Sequence, residues 1–289
     1  MKKAFVALMV LFVLTSATTL FASSYAYEYT EEDLMIDAGD HMIPATLTIP
    51  VGSEGETFPA VVMLHGNGST RHEAGNAYDY TAPEMAKAGI ATIRFDYIGN
   101  GDSEEDYIDF TYDKGIEDAL TCYEYLKGVS AVDIERVGIM GWSQGGRLTL
   151  LTAARSDVFK SALTWAGAFE QKDESEEYEI ALENGYYEVT YDWREPLKQS
   201  PAYYECAMGI DYHAEAANIS IPYMIIQGTE DTTVVPETAL AIESALVNSP
   251  NAPIYWVENC DHTFNVFTGD TSALEETTTA TTVWFLATL

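Results

Sequence analysis

Short apolar runs alternate along the chain with longer stretches whose apolar positions recur at the spacing of one helix face. Residues 34–36 and 46–49 flank Gly39-Asp40 and read as a leading hairpin. The unbroken apolar run over 60–64, ending at His65-Gly66, is what a strand buried on both faces requires. A helix over 78–88, stopped by Gly89, precedes a strand over 91–95. Ile116, Ala119, Leu120, Tyr123 and Leu126 lie on one helical face. A strand over 137–140 runs into Gly141, a helix continues through 148–154, and 162–165 is again a strand. Strand 223–227, helix 237–247, strand 254–257 and a closing helix over 273–287 complete the series, with Ser272 and Glu275 at capping-box spacing. Such alternation predicts an α/β fold: a mostly parallel central sheet with helices on both faces.

The alternation breaks between 167 and 212. This stretch is acidic over 170–179, rich in Tyr, and carries Trp193, Pro196 and Pro201 without a clear period. A long structureless loop inside a compact domain is improbable unless it is functional or folds by itself. It reads as a lid inserted into one domain spanning 27–289.

The first 26 residues have a different logic. Lys2 and Lys3 precede an apolar run over 4–14, and small residues lead to Ala22 and Ala26. That is the layout of a secretory signal peptide. Its apolar core is short of the ~20 residues a bilayer span needs, so the mature chain is expected outside the cytoplasm, secreted or extracytoplasmic, and without a membrane partner. Composition supports a globular reading, with 47% hydrophobic and 21% charged residues. Forty-six acidic residues against fourteen Lys and Arg leave a net charge of −32. A field that negative repels nucleic acid and anionic lipid, which excludes both as partners. Cys122, Cys206 and Cys260 are too few and too scattered for a disulfide framework or a paired-Cys zinc site, although an exported chain could pair two of them.

The sharpest chemical signal is Gly141-Trp142-Ser143-Gln144-Gly145, with a strand leading in and a helix leading out. In that context G-x-S-x-G is a nucleophile elbow, which presents the Ser143 hydroxyl at a helix N-terminus. A serine needs a base. Of the five histidines, His41 falls in the hairpin, His65 ends an early strand, His72 lies in a polar loop and His213 lies by the lid. His262 follows the last strand and keeps the chain order serine, acid, histidine. Asp231, after strand 223–227, is the acid that would orient the imidazole; Glu230 and then Asp261 are the alternatives. The oxyanion donors would be the backbone N–H groups of Gln144 and of Asn67, in His65-Gly66-Asn67-Gly68. Asn67-Gly68-Ser69 is also a glycosylation sequon, but a glycan there would plug the site. The acids of the loop 95–103 miss EF-hand spacing, and neither His-Glu-x-x-His nor a P-loop occurs, so no metal or cofactor is implied.

Together, His65-Gly66-x-Gly68, Arg94-Phe95-Asp96 with Gly99-x-Gly101-x-Ser103, the Ser143 elbow, Gly228-Thr229-x-Asp231 and Asp261-His262 resemble the α/β-hydrolase superfamily from about residue 59 onward. Within it the motifs are similar to the cinnamoyl and feruloyl esterases of gut and rumen bacteria. The resemblance implies an α/β-hydrolase fold and a small-molecule ester substrate. It also implies a lid after the strand that follows the nucleophile helix, where 167–212 lies. Asn67 stands where those esterases often carry an aromatic residue, which alters the acyl pocket. On this reading Tyr186, Tyr187, Trp193 and Tyr203 of the lid would stack on an aromatic acyl group; otherwise they form the lid's own core. A serine aminopeptidase-like enzyme of the same fold and a non-catalytic hydrolase-like binding protein are the competing functions.

Overall fold

In the computed structural model, which describes residues 27–170 and 173–289, the leading hairpin pairs β1 (Tyr29–Asp37) antiparallel with β2 (Met42–Pro50). The signal-peptide expectation falls on residues 1–26, outside the described part. β1 is the edge of the sheet and turns Glu31, Glu32 and Asp33 outward, charges that discourage pairing with another chain. β3 (Phe58–Leu64), β4 (Ala91–Phe95), β5 (Val132–Trp142), β6 (Ser161–Trp165), β9 (Tyr223–Gly228) and β10 (Ile254–Val257) are mutually parallel. The eight-stranded order is β1-β2-β4-β3-β5-β6-β9-β10.

Burial on both faces explains the unbroken apolar runs. Val61 and Met63 of β3 face a core with Tyr78 and Met85 of α1 (Ala77–Lys87) and Trp284 and Phe285 of α8 (Ser272–Thr288). Ala60, Val62 and Leu64 face the opposite core, with Ile116 of α2 (Tyr112–Leu126), Leu148 of α3 (Gln144–Arg155) and Ile242 of α7 (Pro236–Ala245). The chain moves outward from β3 to β4 on one side and then returns to β5 on the other. Loops leaving the carboxyl ends of β3 and β5 therefore diverge, opening a crevice where ligands of such sheets bind.

Two expectations change. Ser272 is the first residue of α8 rather than its cap; Thr271 takes the cap position, and its hydroxyl donates to Glu275 at 2.7 Å. The stretch 167–212 holds α4 (Ser175–Asn184), a small antiparallel pair of β7 (Tyr187–Val189) and β8 (Leu197–Gln199), and α5 (Pro201–Ala207); α6 (Tyr212–Ala217) follows. Elements this short complete too few turns or pleats to display a period. All three cysteines are free thiols.

Candidate active site

Ser143 sits between β5 and α3 with φ 55° and ψ −114°, a left-handed setting that costs a side-chain-bearing residue about 1–3 kcal/mol. The surroundings enforce it. A Cβ on Gly141 would stand 2.2 Å from the carbonyl oxygen of Gly145, and one on Gly145 would stand 2.2 Å from that of Leu64. Backbone, not a movable side chain, excludes any substitution there. The Ser143 N–H donates to Trp165 at 2.9 Å, and its carbonyl accepts from Arg147 at 3.1 Å and Ala168 at 3.0 Å. Among the described residues, six other non-glycine residues share positive φ: Glu73, Asn76, Ala166, Asn259, Phe264 and Asn265. All lie in the connections that follow β3, β6 or β10. Strain gathers at the carboxyl edge of the sheet, as it does at functional sites.

Asp231 follows β9 and is 2% exposed. Its Oδ1 accepts the N–H groups of Thr233 and Val234, each at 2.8 Å, and its Oδ2 accepts the Gln227 amide at 3.0 Å. The same Oδ2 meets His262 Nδ1 at 2.8 Å, which places the proton on Nδ1 and leaves Nε2 as an acceptor. The indole N–H of Trp142 donates to the His262 carbonyl at 3.1 Å, drawing the histidine loop against the elbow. The rival acids do not meet the ring. Glu230 is exposed, and the carboxylate bonded to the imidazole is that of Asp231; the Asp261 carboxylate closes its own turn with Thr263 and Asn265.

The turn after β3 lies directly on the elbow: a Cβ on Gly66 would be 3.5 Å from the Ser143 Cβ. His65 is fully buried and pinned between the Gly66 carbonyl (2.8 Å) and the Tyr97 N–H (3.2 Å). Burial pushes its pKa down to about 4, so it is a neutral strut. Asn67 has its side-chain amide doubly engaged, donating to the Tyr191 hydroxyl at 2.7 Å and accepting from the Tyr107 hydroxyl at 3.1 Å. Its backbone N–H has no partner among the described residues. The N–H of Gln144, first residue of α3, likewise has no acceptor within the helix. Two donors are thus left on the segments that adjoin Ser143, while the His262 loop is bonded to Trp142, the residue before it; a hydroxyl, an imidazole and spare N–H groups are the parts that acyl transfer needs.

The Gly-rich loop 95–103 is held by charge. Asp96 accepts from the backbone and guanidinium of the buried Arg71 and from the Asp102 N–H. A Cβ on Gly101 would collide with the Asp96 carboxylate at 2.2 Å.

The stretch expected to form a lid crosses the turn after β3 through residues that sequence reasoning passed over. Besides the Tyr191 hydroxyl, Arg194 donates to the Gly68 carbonyl and, at 2.9 Å, to Asn100. Of the four aromatics expected at the substrate, Trp193 is 64% exposed with its ring 5.3 Å from that of Tyr191. Tyr186 lies beneath the Lys198 ammonium at 4.7 Å, and Tyr187 is half-buried on β7. Tyr203 is 4% exposed, edge-packed by Tyr112 and Tyr204, and so belongs to the seam between lid and body. A cleft of about 350 Å³ opens between the lid base and the acid loop, lined by Phe169, Tyr212, Val235 and Ile242. Among the described residues no cluster of His, Cys, Asp or Glu is arranged to hold a metal ion.

Comparison with known proteins identifies the family and the fold. The family model described as the prolyl oligopeptidase family matches residues 76–289. An uncharacterized peptidase of Bacillus subtilis, YuxL, is 24% identical over 263 residues, covering 83% of this chain and 37% of its own. Esterase EstD of Thermotoga maritima is 31% identical over 133 residues, 44% of this chain and 30% of its own. The chain thus spans well under half the length of these curated relatives. Among solved structures, Est1E of Butyrivibrio proteoclasticus with ferulic acid bound superposes with a TM-score of 0.71 at 22% identity, covering 88% of this chain and 98% of its own. An acylaminoacyl peptidase of Pyrococcus horikoshii gives 0.69 at 20% identity, covering 94% and 43% respectively. The fold is the α/β-hydrolase fold.

Proposed function

The chain belongs to the prolyl oligopeptidase family, and on that premise we propose that this hydrolase is a serine carboxylesterase acting through an acyl-enzyme. Ser143 attacks the ester carbonyl while His262 Nε2 takes its proton; Asp231 orients the ring and stabilises the imidazolium. The N–H groups of Asn67 and Gln144 receive the oxyanion. Protonated His262 then returns its proton to the leaving alcohol, and water cleaves the acyl-enzyme by the same route in reverse. The observation that carries this reading is the 2.8 Å contact between Asp231 and His262, on a loop bonded to the residue preceding Ser143.

The substrate class we propose is a small aryl ester, cinnamoyl or feruloyl esters among them. Support comes from the aromatic lid and from the likeness to Est1E over nearly all of that chain. The protein would act outside the cytoplasm on a small molecule, with the signal peptide removed and with neither nucleic acid nor membrane as partner. A peptidase reading has its own support in the family match and in the acylaminoacyl peptidase likeness.

Labelling with a fluorophosphonate, followed by peptide mapping, tests the mechanism: the adduct is expected on Ser143, and an unlabelled Ser143 defeats it. Turnover of p-nitrophenyl acetate, methyl ferulate and amino-acid anilides then sorts the substrates. Cleavage confined to anilides would replace the esterase by a peptidase.

A further inference from the structure

One buried carboxylate beside the elbow has no place in the mechanism above. Glu73 is 8% exposed and stands in the loop between β3 and α1, with φ 62° and ψ 175°. That region of backbone space is all but reserved for glycine and costs about 1–3 kcal/mol. Burial also disfavours its ionised form and raises its pKa, and no Lys or Arg lies in ion-pair contact with it among the described residues. A sequence that tolerates both penalties at one position gains something there.

The contacts show what is gained. One carboxylate oxygen accepts the Gly66 N–H; the other accepts the Ser69 hydroxyl and the Ala74 N–H, each at 2.8 Å. The Gly66 and Ser69 donors bracket Asn67 on both sides. Gly66 is wedged between Glu73 and the elbow: a Cβ on it would be 3.1 Å from Glu73 Oε1 and 3.5 Å from the Ser143 Cβ. The turn that carries Asn67 is thereby gathered onto a single side chain, which consumes the neighbouring donors and leaves the Asn67 N–H unspent.

Resting on the esterase reading, we propose that Glu73 is a positioning residue for the oxyanion hole, holding the turn 66–69 so that the Asn67 N–H faces the oxygen that becomes negative at Ser143. Donors fixed in advance add transition-state stabilisation without reorganisation, whereas a loosened turn leaves ground-state binding nearly intact.

The test compares Glu73→Gln and Ser69→Ala with the parent on a p-nitrophenyl ester, with active sites counted by fluorophosphonate labelling. Phenylboronic acid serves as a probe of the hole, because its tetrahedral Ser143 adduct places an oxygen there. Glu73→Gln keeps the shape but replaces one acceptor oxygen by a donor. It is expected to lower kcat per labelled site on the order of 10- to 100-fold, with KM little changed and the boronate weakened in proportion. Ser69→Ala, which removes one donor to Glu73, is expected to show the same pattern more weakly, and it decides the matter if Glu73→Gln does not fold. Parent-like kcat and boronate affinity per site would overturn the proposal, including the case where only the number of labelled sites falls, since that marks a merely structural role. A parent unlabelled at Ser143 would overturn the esterase reading as well, which separates the two failures.

Discussion

The Asp231 carboxylate and the His262 ring meet at 2.8 Å across 31 residues of chain, and Asp231 has no other cation to serve among the described residues. Its remaining lone pairs are taken by Thr233, Val234 and Gln227. The carboxylate can therefore neither swing away nor accept a different partner without leaving buried N–H groups unbonded, at about 1–3 kcal/mol each.

Asp231→Asn is thus expected to lower kcat about 10³- to 10⁴-fold, because an amide presents the wrong donor to Nδ1 and favours the wrong tautomer. KM should change little. Glu230→Gln, altering a neighbour that does not touch the imidazole, should leave both constants at parent values. Equal losses in the two variants would reassign the acid.

The elbow makes a stability prediction. Gly145→Ala would put a methyl 2.2 Å from the Leu64 carbonyl oxygen and 2.6 Å from that of His65. The backbone carrying those atoms is buried and cannot yield. We expect a loss of about 3 kcal/mol in urea unfolding, or no soluble protein; a parent-like midpoint would show that the turn has more room than these distances allow.

The lid strap makes a kinetic one. Tyr191→Phe removes the acceptor for the Asn67 amide and Arg194→Ala frees the Gly68 carbonyl. Each lost bond is worth about 1 kcal/mol. Hydrogen exchange across residues 187–199 should quicken in both variants, with KM rising severalfold. Unchanged exchange would mean that the strap is held by packing alone.

A fourth prediction lies far from the site, where the hairpin turn meets α2. The His41 side chain is buried between Asp40 (2.9 Å) and Asp118 (3.0 Å), and the bond to Asp118, against the cost of burial, raises its pKa from 6.5 to about 9. A histidine whose folded pKa is raised lends stability fully below its unfolded pKa and loses it as pH climbs through the folded one. The urea midpoint should therefore fall between about pH 6.5 and pH 9. His41→Gln should remove most of that slope. A slope that persists in the variant would assign the effect to other groups.

Much of the architecture was legible in the order of residues alone. Strands over 91–95 and 254–257 coincide with β4 and β10, and the run over 60–64 lies wholly within β3, where burial on both faces demands apolar residues throughout. The Ser143 turn announces itself because its steric demand is local: a Cβ at 141 or 145 meets atoms only a few residues away or on the adjoining strand. The lid was legible only as an interruption, since β7 and β8 have three residues each and α5 has seven.

What tertiary structure alone decided depends on distances between remote parts of the chain. The choice between Glu230 and Asp231, adjacent in one loop, was resolved by which of the two faces inward at the end of β9. Tyr191 reaches Asn67 across 124 residues, a pairing that no spacing rule encodes. Glu73 looked like one more acid among forty-six, and only the fold reveals it buried and bonded to the turn beside Ser143. Local sterics and periodicity are properties of neighbours in sequence; burial and the partner of a charge are properties of neighbours in space.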